Sequence, residues 1–176
     1  MLPNPLHPAI VHFPVVLAVL LPVFALGTLW IIRRGARPLR AWSLPLALAV
    51  ALAASAWVAV ETGEPQRERV EDVVAEEPLS THEHMAEQFL AASAILAVVA
   101  AAGLVGGLAG SVARIATVVG SLALVVSAVR VGHSGGELIY RYGAANAYVQ
   151  SRGTNTAAVD GTANRRVGGD DDDRRR

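Results

Sequence analysis

The chain has 176 residues, of which 53% are hydrophobic and only 17% charged, where a soluble domain carries about 25% charged residues. The apolar residues fall in long blocks nearly free of ionisable groups, which excludes an ordinary soluble enzyme and confines any disorder to the C-terminal end. Net charge is zero, so no basic field exists to hold nucleic acid, and the absence of cysteine excludes disulfides, iron–sulfur ligation, thiolate-bound zinc and cysteine nucleophiles.

A membrane helix needs about 20 predominantly apolar residues, and four blocks meet or approach that length, at 10–32, 41–60, 85–110 and 115–131. The first contains Pro14 and Pro22, which a helix in lipid tolerates when neighbours satisfy the freed carbonyls. It does not read as a cleaved signal peptide, because no Arg or Lys precedes it and the Arg cluster follows it. The connection to the second span, RRGARPLR, holds Arg33, Arg34, Arg37 and Arg40, and the short connection between the last two spans holds Arg114. The longer connection between spans two and three is acidic. The positive-inside rule therefore places both termini and the acidic loop on the extracytoplasmic side of a multi-pass cell-membrane protein.

Within the acidic loop, Pro65 at a first-turn position and Pro78 bracket QRERVEDVVAEE, which predicts a short charged helix. Ser80 and Glu83 have capping-box spacing, predicting the start of the third span. Gly103, Gly106, Gly107 and Gly110 give small-xxx-small pairs inside that span, a face for packing on a neighbouring helix or on a second copy in a homo-oligomer. The fourth span ends in GHSGGELIYRYG, whose Gly132, Gly135 and Gly136 allow a tight turn or close backbone approach. Past Tyr148 no apolar period remains, so residues 149–176 read as a disordered polar tail. No internal repeat beyond the pairing of hairpins is evident. The fold expected over 1–148 is an all-α, four-helix, up-down integral membrane bundle in a lipid bilayer.

The five histidines carry the chemistry. His7 and His12 stand at the start of the first span, His82 and His84 at the start of the third, and His133 just after the fourth. Alternating span directions bring all five to one membrane surface, where a bundle can converge imidazoles from facing helices on a metal or cofactor. With no Cys and few Met, imidazole is the dominant ligand available, suiting haem iron or a divalent transition metal. His12, one turn into the apolar run VHFPVVL, and His82 form the preferred ligand pair, with His133 and His7 as further candidates. His84, two positions from His82 on the same helix, points elsewhere. Arg130 and Arg141 are candidates for haem propionates, and Glu83 and Glu137 for orienting a ligating imidazole. His133, Glu137 and Arg141 recur at i+4 spacing, which makes either such a site or a solvated ion-pair stripe. Phosphate-binding loops, dinucleotide fingerprints and GxSxG elbows are absent.

HPAIVHFPVVL at 7–17, ETG at 61–63, HEHMA at 82–86 and GGELIYRYG at 135–143 resemble the predicted membrane proteins called domain of unknown function 2231. The resemblance covers roughly residues 5–145, with HPxxVHFP and GGELxY its most specific parts. It matches His7, Pro8, His12, Phe13 and Pro14 to the opening motif, His82 to the third-span histidine, and Gly135, Gly136, Glu137 and Tyr140 to the closing motif. Such proteins are similar in layout to small membrane cytochromes b, and some are joined to Rieske-type domains. The resemblance thus implies a redox or haem-associated role. The combined expectation is a haem b or metal-binding electron-transfer bundle, served by a redox protein partner at its outer face. The competing class is a non-catalytic membrane subunit whose histidines are structural.

Overall fold

The structure, a computed structural model, describes residues 7–147; the predicted tail over 149–176 lies outside them. A short α1 (His7–Ile10) leads into α2 (His12–Arg33), followed by α3 (Pro38–Val70), α4 (Glu76–Ala102) and α5 (Gly107–Tyr140). The described residues contain no strand. α2 to α5 are long and apolar enough to cross a membrane. At about 1.5 Å per residue, the 22 residues of α2 span roughly 33 Å, close to a hydrocarbon core. The 33 residues of α3 and 34 of α5 reach about 50 Å, so both project well beyond it.

Four expected boundaries are corrected. The third apolar block does not run to 110: α4 stops at Ala102, and residues 103–106 form the turn into α5. The four glycines fall in and beside this corner and not within one span, and of them Gly103 gives the expected close approach to a neighbouring helix, lying against Trp42 of α3. Gly107 has φ +72°, which favours glycine, and a side chain on Gly110 would collide with the Val105 carbonyl oxygen. The acidic loop holds no separate charged helix, because α3 continues through Pro65 to Val70. Ser80 is no cap. α4 starts earlier, at Glu76, with Pro78 in the first turn where its missing N–H is tolerated, and Ser80 donates back to the Glu77 carbonyl. Finally, α5 runs helically through Gly132, Gly135 and Gly136 without a turn, and of the two uses expected of these glycines Gly135 serves close approach, against the His82 ring.

The four long helices form a closed ring in which α2 packs on α3, α3 on α4, α4 on α5, and α5 back on α2. Its polarity is inverted relative to a water-soluble bundle. Large apolar side chains such as Phe13, Val16, Val23, Trp30, Trp57, Val98, Val119 and Val126 face outward, and much of the interior is Ala, Ser and Thr. Small interior residues let helix backbones approach in lipid, where packing and not water exclusion drives association. A main core runs along the bundle from Ala18 and Leu21 through Leu52, Leu96 and Leu124. A second cluster of Val70, Val74, Leu79, Leu138 and Ala144 caps the end that carries the acidic connection.

The buried positions repeat between the two hairpins, a regularity the sequence alone does not show. In α2 and α4 the buried residues pair at constant offset as Pro14/Phe89, Ala18/Ser93, Leu21/Leu96 and Ala25/Ala100. In α3 and α5 a slightly shorter constant offset pairs Trp42/Arg114, Pro45/Thr117, Ala49/Ser121, Leu52/Leu124 and Ala56/Ala128. Four of these nine pairs are identities, all Leu or Ala, and the other five exchange residues of different size or polarity. The repeat therefore appears more fully in which face is buried than in which residue is used.

Candidate functional site

Just beneath the apolar cap, at the end opposite the arginine-bearing turns, two imidazoles are drawn into the bundle. His7, on α1, sets its Nδ1 3.3 Å from Thr62 Oγ1 on α3. His82, on α4, sets its Nδ1 2.9 Å from Ser134 Oγ on α5. Each ring also rests on a glycine that follows its hydroxyl residue. A side chain on Gly63 would come within 3.4 Å of His7 Cε1, and one on Gly135 within 3.1 Å of His82 Cε1. Each ring is hydrogen-bonded as well to a backbone group one turn earlier on the same partner helix, Ala59 for His7 and Val131 for His82. His82 lies close enough to His7 to feel its charge. Burial pushes the His7 imidazole below the ordinary histidine range, against a smaller upward effect of its Ala59 hydrogen bond.

The remaining candidates lie elsewhere. His12 is exposed on the surface of α2 beside Phe13. The helix explains this: Pro14, Ala18 and Leu21 mark the inward face of α2, and His12 is off that phase, whereas His7 stands two turns before Pro14 on the inward side. The imidazole brought to His82 is that of His7. His84 is exposed and meets Gln88 at 2.9 Å. His133, with 78% of its side chain exposed, lies 4.0 Å from Glu137, which Arg141 approaches at 3.4 Å, so the expected stripe forms as a surface arrangement. Arg130 is exposed, and the Arg141 guanidinium lies 5.6 Å from the Tyr142 ring. Glu83 is engaged by Arg67, which also holds Glu76 at 2.6 Å and so ties α3 to the start of α4 beside His82.

The polar groups that hold the rings are hydroxyls, not the carboxylates of Glu83 and Glu137. Thr62 and Ser134 carry a weak signal, a hydroxyl followed by glycine near the same end of the second and fourth apolar helices. Among the described residues no group of three or more His, Cys, Asp or Glu is placed to hold a metal ion. A closed structural metal site, which needs four protein ligands, is therefore not built from them. Two half-buried imidazoles fit a centre that draws its remaining ligands from elsewhere, such as a macrocycle or solvent.

A lipid-facing shell of large apolar side chains, four spanning-length helices and a small-residue interior define an integral membrane four-helix bundle. The predicted membrane proteins designated DUF2231 match residues 3–148, and the chain belongs to that family. No curated protein matches it, and no solved structure does.

Proposed function

We propose that this protein is a redox-active membrane bundle that holds a transition metal, as haem iron or as a free ion, between imidazoles at its histidine end. The pair supported best is His82 with His7, and the observation that carries the reading is that both rings are half-buried and hydrogen-bonded across a helix pair at one end of the bundle, in a chain that otherwise leaves its histidines exposed. Ionisable and polar side chains inside membrane bundles are costly and mark functional positions. Bound there, the metal would supply one-electron chemistry. The residues of the chain would supply its ligands, a cap of Val70, Val74, Leu79 and Leu138 that keeps water off, and a small-residue bundle that fixes the distance between hairpins. The arginine-rich turn at 33–40 supports a cytoplasmic location for the opposite end, and with it a centre on the extracytoplasmic side. There the acidic edge of Glu71, Asp72, Glu76 and Glu77 offers a docking surface for a redox partner.

A structural reading has its own support, since each ring nitrogen Nδ1 is already engaged across a helix pair. Optical spectra of the detergent-purified protein, oxidised and dithionite-reduced, together with elemental analysis, separate the two. The redox reading expects a haem Soret band that shifts on reduction, or about one transition metal per chain. Colourless, metal-free protein after expression with haem and metals supplied contradicts it and leaves a non-catalytic membrane subunit.

A further inference from the structure

The two halves of the bundle treat their histidines in the same way, down to individual atoms. The offset that pairs Leu52 with Leu124 and Ala56 with Ala128 also pairs Thr62 with Ser134, Gly63 with Gly135 and Ala59 with Val131. The offset that pairs Pro14 with Phe89 also pairs His7 with His82. In both halves, then, a histidine from the first helix reaches a hydroxyl, a glycine and a backbone group at equivalent places on the second. α3 and α5, which carry the two hydroxyls, stand at opposite corners of the ring, so the two equivalent imidazoles are held from opposite sides. Such an arrangement is that of parallel repeats related by an axis along the membrane normal.

The hydroxyls point to one tautomer. A hydroxyl has one proton to donate. Thr62 Oγ1 donates to the carbonyls of Val58 and Ala59 at 2.9 and 3.1 Å, and Ser134 Oγ donates to that of Val131 at 2.9 Å. If the hydroxyl proton stays on those carbonyls, each oxygen accepts from its imidazole, which puts the ring proton on Nδ1. Each Nε2 is then left as a bare lone pair, the form in which histidine ligates a metal.

We infer that Thr62 and Ser134 are equivalent positioning residues of an internally duplicated bundle, holding His7 and His82 as Nδ1–H tautomers so that their two Nε2 lone pairs form one shared site for a single metal cation. The choice of a cation as ligand rests on the metal-binding reading above; the tautomer and the equivalence do not. An anion is excluded as ligand by the same lone pairs, which repel it.

The test is nitrogen NMR of the full chain, labelled in the histidine rings and free of metal, followed by titration with monovalent copper under anaerobic conditions. Before copper, both His7 and His82 are expected to show a protonated Nδ1 and an unprotonated Nε2. Thr62→Val should alter only the His7 resonances and Ser134→Ala only those of His82, with Thr62→Ser and Ser134→Thr restoring each pattern. One equivalent of copper should then shift both Nε2 resonances together. An Nε2–H tautomer on either ring, no response to the hydroxyl variants, or copper shifting one ring alone or neither would overturn the inference. Because monovalent copper reports binding without turnover, a shared site can stand while the spectra described above reject a native redox centre, and each failure is read separately.

Discussion

The first hairpin (α2–α3) and the second (α4–α5) bury the same register with different chemistry. Where the first places Ala18, Trp42, Pro45 and Ala49, the second places Ser93, Arg114, Thr117 and Ser121 at equivalent buried positions. Each polar group of the second hairpin is answered locally. Ser93, Thr117 and Ser121 donate to the carbonyls of Phe89, Ala113 and Val118 on their own helices at 2.7–2.8 Å. The Arg114 guanidinium donates to the Gly103 carbonyl at 2.8 Å. No buried side-chain polar atom among the described residues lacks a partner. Register in this bundle is therefore set by helix phase and side-chain size, and polarity is tolerated wherever the helix supplies its own acceptor.

Four experiments break or sharpen that comparison. Leu52 and Leu124 are equivalent and buried, so Leu52→Ala and Leu124→Ala should each cost about 2–5 kcal/mol in detergent unfolding, by similar amounts. A loss confined to one of them would end the equivalence. The corners differ more. Gly103 lies where a side chain would meet Trp42 Nε1 at 2.3 Å, while the first hairpin carries Thr28 at the matching place. Gly103→Thr should cost about 3 kcal/mol through overpacking and displacement of the Trp42 bond to the Ala100 carbonyl, whereas Thr28→Gly should cost only about 1 kcal/mol. Equal costs would mean that the indole yields freely.

The third experiment uses pH. Burial depresses the folded-state His7 value below the ordinary histidine value of 6.5, so the unfolded chain binds more protons than the folded one in the interval below 6.5. Stability from this group is complete above 6.5 and falls as acid is added through that interval. The metal-free wild type should thus lose more thermal stability between pH 7.5 and 5.5 than His7→Gln, and parallel losses would contradict the burial of this ring. The smallest effect is expected from Ser121→Ala, which removes a hydroxyl bonded only to its own helix and makes the second hairpin like the first. Unfolding should move by no more than about 0.6 kcal/mol, and a loss several times larger would show a role across helices.

The membrane class and the number of spans were legible in hydropathy alone, because the four blocks differ so sharply from the charged connections. The corner at 103–106 was not, since Ala, Val and Gly continue from 85 to 131 with scarcely a polar break and only the left-handed Gly107 marks the turn. Pro65 misled for a related reason: α3 has left the apolar segment there, and Glu61, whose carbonyl loses its helical donor, is exposed. The clustering of histidines at one end was legible from alternating spans. The choice between His7 and His12 required helix phase, which Pro14, Ala18 and Leu21 carry in the sequence once the buried face is known. Thr62 and Ser134 stayed hidden because their part depends on contact between helices distant in the chain.

The central claim is that one centre is shared by two equivalent histidines and that the exposed His12 lies outside it. Cofactor or metal content per folded chain in His7→Ala, His82→Ala and His12→Ala tests it most directly. The account predicts that the first two each lose most of the bound group to a similar extent, because either change removes half of the imidazole donors, while His12→Ala keeps it. Loss in His12→Ala with retention in His7→Ala would contradict the account.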